Sequence, residues 1–230
     1  KAAPSYAYAK SIIKVINEVA NLVNHDHTIG DKLKIVFLPN YNVSLAEKII
    51  PAADVSEQIS LASKEASGTS NMKLMLNGAI TIATLDGANV EIRDAVGDEN
   101  IYIFGLTEAE VYAYYENKNY SSREVYETNP IVHRVLNAFV DGSIPNIERE
   151  GQEIVDSLLL YNDEYFLLRD FDAYCKAQAR LNQDYQDATH WQKCSLINIA
   201  NAGTFSADKT VKQYAEDIWQ IEPLFAHKGR

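Results

Sequence analysis

The residues best suited to chemistry lie at positions 65–73, where Glu-Ala-Ser-Gly-Thr-Ser-Asn-Met-Lys places small and hydroxylated side chains ahead of a lysine. When such a loop leads into a helix, backbone N–H groups and hydroxyls can converge at the positive end of the helix dipole. The loop could then hold a phosphate group. Its spacing is not that of a Walker A loop. On composition alone, a plain polar connection between a strand and a helix is the alternative.

Lys73 gives this loop its chemical interest, because its neighbours at positions 72, 74–76 and 80 are apolar. A lysine in such a stretch commonly extends its ammonium to water, and this alternative stays open. A buried ammonium instead has a lowered pKa and becomes an amine nucleophile, as a Schiff base with an aldehyde requires. A phosphate-binding loop one helical turn before a buried lysine would suit a phosphorylated aldehyde such as pyridoxal phosphate.

The elements that must position this loop alternate between strand and helix patterns in the first half of the chain. Apolar spacing predicts a helix over residues 4–24, and Ser44 with Glu47 forms a candidate capping box for a short helix over residues 44–50. Apolar runs predict strands at residues 34–39, 79–85 and 101–104. The alternation predicts a doubly wound α/β fold with a parallel sheet and ligands at the strand ends.

From about residue 107 the pattern becomes helical, with helices predicted at residues 108–115, 130–140, 150–161 and 210–221. We therefore expect residues 1–106 to form a parallel α/β portion that carries Lys73. Residues 107–230 are expected to form a mainly helical portion of the same domain.

Composition excludes several classes of partner. The chain has 230 residues and a formal net charge of −11, which disfavours nucleic acid and anionic membrane surfaces, and no apolar run approaches the roughly 20 residues of a membrane span. Cys175 and Cys194 form no dense framework, so a soluble protein of the reducing cytoplasm is expected. His25 and His27 lack a third ligand at a recognised spacing, so no metal site is expected. The start of the chain, without Met, indicates a piece of a longer protein.

Residues 65–79 and 84–91 resemble the segment around the cofactor lysine in the α-glucan phosphorylases, the family of glycogen, starch and maltodextrin phosphorylases. The resemblance extends to residues 41–47 and 51–60, and weakly to the last helix. It covers nearly the whole chain. It implies a two-domain glycosyltransferase fold of the GT-B type, of which this chain is an incomplete, Rossmann-like carboxy-terminal domain.

By this resemblance, Lys73 forms a Schiff base with pyridoxal 5′-phosphate and Tyr41 packs near the cofactor ring. Thr69 and the backbone around Ser70 reach the 5′-phosphate of the cofactor. The family usually has glycine at the position of Ser70, so the added hydroxymethyl group either crowds the phosphate or supplies another donor.

The resemblance also implies a substrate site. Glu65, Ala66, Ser67 and Gly68 line the glucosyl site, where Glu65 accepts a hydrogen bond from a sugar hydroxyl. The implied reaction is phosphorolysis of a terminal α-1,4-glucosidic bond by inorganic phosphate, which releases α-glucose 1-phosphate with retention of configuration. The cofactor phosphate, rather than its pyridine ring, acts as acid/base partner of the substrate phosphate.

The expected partners are the α-1,4-glucan, inorganic phosphate and the missing amino-terminal domain, and the full-length protein is expected to be a homodimer. Without that domain and its cations, the 230-residue piece is expected to be inactive. Two rival functions remain, a nucleotide-sugar-dependent glycosyltransferase and a non-catalytic interaction module that docks through the helical half. Neither rival needs Lys73.

Overall fold

The computed structural model describes residues 2–222, which form helices and one three-stranded parallel sheet. The strands are β1 (Val55–Gln58), β2 (Ile80–Ala83) and β3 (Tyr102–Ile103). The α-helices are α1 (Ala7–His25), α2 (Val43–Ile49), α3 (Ser70–Leu76), α4 (Asn89–Val96), α5 (Glu108–Asn117), α6 (Ser122–Thr128), α7 (Pro130–Ala138), α8 (Glu148–Val155), α9 (Leu167–Tyr185), α10 (Ala188–Asn201) and α11 (Ala207–Gln213). Segments of π-helix follow α8 (Asp156–Leu160) and α11 (Tyr214–Trp219).

The chain divides into two compact units, each built from two segments. The first unit comprises Lys1–Glu47 and Ala109–Cys175, and the second comprises Lys48–Glu108 and Lys176–Arg230. Each unit therefore combines one segment that ends at or before residue 108 with one that begins at or after residue 109. The predicted organisation into residues 1–106 and 107–230 stays a prediction.

The second unit contains the sheet, whose strands are parallel and follow the order β1, β2, β3. Helix α3 connects β1 to β2 and α4 connects β2 to β3, since parallel neighbours require a crossover connection. All four residues of β2 are buried, as expected for the central strand. The predicted α/β class with a parallel sheet is confirmed, and so is the helical character of the second half.

Helices α3 and α4 are held in the second unit by an apolar core. It comprises Met75, Ile92, Val96, Ile101 and Ala202. Helix α10 packs against both helices, and the Ser195 hydroxyl on α10 donates a 2.8 Å hydrogen bond to the carbonyl of Gly78, just after α3. The end of α3 is therefore fixed by both apolar and polar contacts.

The first unit has a core of its own, where α1 packs against α8. The core residues are Val15, Val132, Leu136, Ile147, Ile154, Leu158 and Leu168. At the edge of this contact, the Ser11 hydroxyl donates a 2.5 Å hydrogen bond to Glu153. Apolar burial thus defines this unit, and polar pairs surround the burial.

The strand predicted at residues 34–39 is wrong. This segment is not a strand, and none of the described strands pairs with it. Its Val36 is 69% exposed. The Asn24 side chain instead donates to the Ile35 carbonyl at 2.8 Å and accepts from the Ile35 N–H at 2.9 Å. An amide side chain thus takes the hydrogen bonds that a neighbouring strand would supply.

The capping box predicted at Ser44 is also wrong, although the short helix exists. Helix α2 already begins at Val43, so Ser44 lies inside it. The side chain of Asn42 accepts the Leu45 N–H at 3.2 Å and performs the capping role instead. Strand β1 was not predicted, because its four residues, Val-Ser-Glu-Gln, are mostly polar.

Candidate functional site

The candidate site lies at the carboxyl ends of β1 and β2, where ligands of parallel sheets commonly bind. Residues 59–69 follow β1 and lead into α3, and residues 84–88 follow β2 and lead into α4. These two connections lie side by side because their strands are hydrogen-bonded neighbours. The loop singled out from the sequence is thus placed at the end of a strand.

The buried carboxylate of Asp86 organises the start of this loop. Its Oδ1 accepts the backbone N–H of Ser63 at 2.9 Å, and its Oδ2 accepts those of Glu65 at 2.7 Å and Lys64 at 3.3 Å. The Asp86 N–H in turn donates to the Thr84 carbonyl at 3.0 Å, directly after β2. The position of the loop is therefore tied to the central strand.

A second set of hydrogen bonds holds the end of the loop. The Ala88 N–H donates to the Ser67 carbonyl at 2.8 Å, and the buried Asn71 side chain donates to the same oxygen at 3.1 Å. Asn71 also donates to the Asn89 side chain at 3.0 Å, and Asn89 donates to the Thr84 carbonyl at 3.2 Å. Both connections thus form one network around buried amides.

Lys73 lies on the exposed face of α3, as in the alternative in which a lysine of an apolar stretch extends its ammonium to water. Asn71 and Met75 are the buried residues of this helix. Lys73 is two positions from each of them and points away, because two residues correspond to about 200° around a helix. Its ammonium forms no ion pair or hydrogen bond with any residue among positions 2–222, which leaves a free primary amine.

Thr69 and Ser70 lie at the start of α3 and differ in their partners. The Thr69 side chain forms no capping hydrogen bond, and Thr69 precedes Lys73 by four residues, so the two share a face. The Ser70 hydroxyl lies 3.3 Å from the side-chain amide of Gln58 at the end of β1. The Ser70 hydroxyl is therefore engaged by the side chain at the end of the strand.

Glu65, Ala66 and Ser67 are exposed, and Gly68 is half-buried. No described residue hydrogen-bonds to the Glu65 carboxylate, which can therefore accept a bond from a hydroxyl ligand. Gly68 has φ +80°, and a Cβ at this position would stand 3.0 Å from the Asn71 amide nitrogen. The loop thus combines a free carboxylate with small residues.

Tyr41 belongs to the first unit, whereas the seven other predicted site residues belong to the second. Tyr41 is 41% exposed and precedes α2. The predicted packing of Tyr41 near a cofactor ring stays a prediction.

Sequence reasoning missed Asp86, Asn71 and Asn89 as the residues that shape the loop. A usable signal was present, because Asp86 and Asn89 closely follow the predicted strand at residues 79–85. Polar residues that follow a buried parallel strand meet at the ligand-binding edge of the sheet.

Neither a metal cluster nor a membrane span is found within residues 2–222. That part of the chain contains no group of three or more His, Cys, Asp or Glu that could hold a metal ion. None of its helices combines the length and apolar character needed to cross a membrane.

Comparison with known proteins places this chain in a family. The sequence model of the carbohydrate phosphorylases matches residues 1–221. Identity is 52% over 224 residues to the glycogen phosphorylase of Bacillus subtilis (strain 168), 48% over 225 residues to that of Synechocystis, and 47% over 227 residues to the human liver form. Each alignment covers 97% of this chain but 28%, 26% and 26% of the respective relative, so the chain spans about a quarter of their length. The chain belongs to the carbohydrate phosphorylase family.

Proposed function

We propose that the full-length protein is an α-glucan phosphorylase, which cleaves terminal α-1,4-glucosidic bonds with inorganic phosphate and releases α-glucose 1-phosphate with retention. Family membership and the similarity to glycogen phosphorylases support this proposal. One structural observation carries it. The free amine of Lys73 and the Thr69 hydroxyl, which makes no capping hydrogen bond, lie on one face at the start of α3, next to a loop with a free Glu65 carboxylate.

The cofactor of this proposal is pyridoxal 5′-phosphate, attached at Lys73 Nζ. When bound, it supplies an aldehyde for the attachment and a phosphate group for acid/base work. The residues present fit such a group, because a primary amine and the Thr69 hydroxyl lie one helical turn apart and have no other described partner. Ser70 would contribute through its backbone, since its hydroxyl lies beside Gln58. Tyr41 would pack near the ring.

The glucosyl site of this proposal lies along residues 65–68. Glu65 accepts a hydrogen bond from a sugar hydroxyl, since a carboxylate offers only acceptors. Ala66, Ser67 and Gly68 carry small side chains, which leave room for a sugar ring close to the backbone. Fixing a hydroxyl of the terminal glucose orients its anomeric carbon toward the attacking phosphate.

The rest of the protein must complete this site. Two neighbouring phosphates need several cations, whereas residues 59–91 offer only Lys64 and Lys73. We therefore propose that this chain is the Rossmann-like carboxy-terminal part of a GT-B enzyme and is inactive alone. The cofactor and the other domain would bury the Lys73 amine, which the described residues leave exposed.

The last helical segment supports a missing partner domain, because Val211 is 55% and Ile218 65% exposed. These apolar side chains would pack toward the amino-terminal domain. A homodimeric assembly and a cytoplasmic location complete the proposal.

A kinetic comparison tests the proposal in the full-length enzyme. With a maltooligosaccharide and inorganic phosphate, wild type is expected to release α-glucose 1-phosphate. Lys73→Ala is expected to lose this activity by several orders of magnitude, whereas the control Lys193→Ala, which changes an exposed lysine of α10, keeps it. Full activity of Lys73→Ala would refute the cofactor role of Lys73, as the interaction-module alternative predicts. Transfer only from a nucleotide sugar would favour a glycosyltransferase instead.

A further inference from the structure

The turn that opens the loop is strained. Ser63 has φ +80°, a conformation that residues other than glycine rarely adopt. The Lys64 N–H donates to the Leu61 carbonyl at 3.0 Å and closes a four-residue turn in which Ser63 is third. Glycine or asparagine is the usual residue at a third position with positive φ. Contacts from outside the turn must therefore offset the cost of this conformation.

Asp86 supplies those contacts. Asp86 is only 6% exposed. Its carboxylate accepts hydrogen bonds from three consecutive N–H groups, those of Ser63, Lys64 and Glu65. Hydrogen bonds to a charged acceptor are about twice as strong as neutral ones, and burial protects them from competing water. An amide at this position could accept with one oxygen only.

The same short segment holds the other end of the loop. Ala88, two residues after Asp86, donates its N–H to the Ser67 carbonyl at 2.8 Å. The Glu65 N–H is thereby held directly by the Asp86 carboxylate at 2.7 Å. Two residues later, the Ser67 carbonyl is held by the Ala88 N–H. The Glu65 side chain itself remains exposed, and its carboxylate has no partner among residues 2–222.

We propose that Asp86 is a positioning residue of the active site, which orients Glu65 for the glucosyl unit without touching the substrate. This inference rests on the proposed phosphorylase function. Loss of the carboxylate releases the strained turn, so the Glu65 carboxylate samples several positions. Substrate binding and transition-state stabilisation then both weaken, while attachment of the cofactor at Lys73 persists, because α3 keeps its own core contacts through Met75.

The test compares Asp86→Asn with Asp94→Asn in the full-length holoenzyme. Asp94 is an exposed carboxylate of α4, so its replacement makes the same charge change away from the loop. Asp86→Asn is expected to speed hydrogen exchange in peptides covering residues 61–68 and to lower kcat/KM by about tenfold or more, with a raised KM for the glucan. The pyridoxyl adduct on Lys73 after borohydride reduction is expected to remain. Asp94→Asn is expected to match wild type.

Two further variants separate positioning from general stability. Leu136→Ala creates a cavity in the core of the first unit and provides a stability loss with no change at the loop. Ser63→Gly combined with Asp86→Asn removes the backbone strain, so it is expected to fold and to regain part of the exchange protection even if Asp86→Asn alone does not fold.

Unchanged exchange at residues 61–68 in Asp86→Asn, or a kinetic loss no larger than that of Leu136→Ala, would overturn the inference. The inference would also be contradicted if the double variant showed no more protection from hydrogen exchange than Asp86→Asn. If wild type shows no phosphorolysis, the proposed function fails instead, and the exchange data still decide whether Asp86 holds the loop.

Discussion

Gly87 lies directly against the backbone of Ser67. A Cβ at position 87 would stand 2.6 Å from the Ser67 carbonyl oxygen, and Gly87 has φ +52°. The close approach allows the neighbouring Ala88 to donate its N–H to that same oxygen. The short distance between the two connections therefore depends on a missing side chain.

Gly87→Ala is expected to displace the loop and to lower kcat/KM for phosphorolysis in the full-length enzyme. Gly30→Ala is the matched control, because Gly30 has φ +58° but a Cβ added there would meet nothing within 4 Å. Both variants place alanine at a positive φ and carry that backbone strain. The free energy of unfolding should therefore fall by about 1–3 kcal/mol more in Gly87→Ala than in Gly30→Ala. Equal losses in the two variants would show that the contact with Ser67 has no role.

For Gly151 in α8, replacement by alanine is expected to lower stability, which is the opposite of what helix propensity predicts. Alanine normally stabilises a helix over glycine by about 1 kcal/mol. A Cβ at position 151, however, would overlap the carbonyl oxygen of Phe139. Gly151→Ala should therefore lower the thermal midpoint, whereas Gly203→Ala, with open space around it, should not. A higher midpoint for Gly151→Ala would contradict the packing described for the first unit.

The hydrogen bonds of Glu150 determine how the stability of the first unit is expected to change with pH. Hydrogen bonds from Lys14 at 3.0 Å and Arg149 at 2.8 Å lower the pKa of the Glu150 carboxyl from 4.5 to about 2. The folded state thus favours the charged carboxylate, whose stabilising contribution is complete above pH 4.5 and disappears as pH falls toward 2. The exposed Glu148 on the same helix serves as a control.

The measurement is the thermal midpoint of wild type, Glu150→Gln and Glu148→Gln as a function of pH. The difference between wild type and Glu150→Gln should be largest near neutral pH and should shrink below about pH 4.5. Glu148→Gln should show a smaller difference throughout. A difference for Glu150→Gln that grows toward acid pH would contradict the assigned ion pairs.

Apolar runs predicted β2 and β3, and helical periodicity predicted part of the helices, whereas α4, α6, α9 and α10 lie outside the predicted ranges. Strand β2 is a run of four buried residues, and α1 follows a 3.6-residue period. The strand predicted at residues 34–39 is wrong, since an apolar run does not reveal whether a partner strand exists. Strand β1 was not predicted for the opposite reason, because it lacks an apolar run and Ser56 is its one buried residue.

The site was predictable only where chemistry is local in sequence. The predicted site lies mainly within residues 65–73, which include Thr69 and Lys73. The resemblance assigned the roles of these residues. Asp86 acts on Glu65 across 21 positions, a loop contact that no periodicity encodes. The exposure of Lys73, one of the two alternatives left open by its apolar neighbours, follows from its position two residues from both Asn71 and Met75 on a helix.

The central claim is that Lys73 carries pyridoxal phosphate in an α-glucan phosphorylase. Borohydride reduction of the full-length holoenzyme, followed by proteolysis and mass mapping, tests it most directly, because reduction makes the attachment permanent. A pyridoxyl adduct is expected on the peptide containing Lys73 and none on peptides containing Lys64 or Lys193. An adduct on another lysine, or phosphorolysis by an enzyme with no adduct, would contradict it.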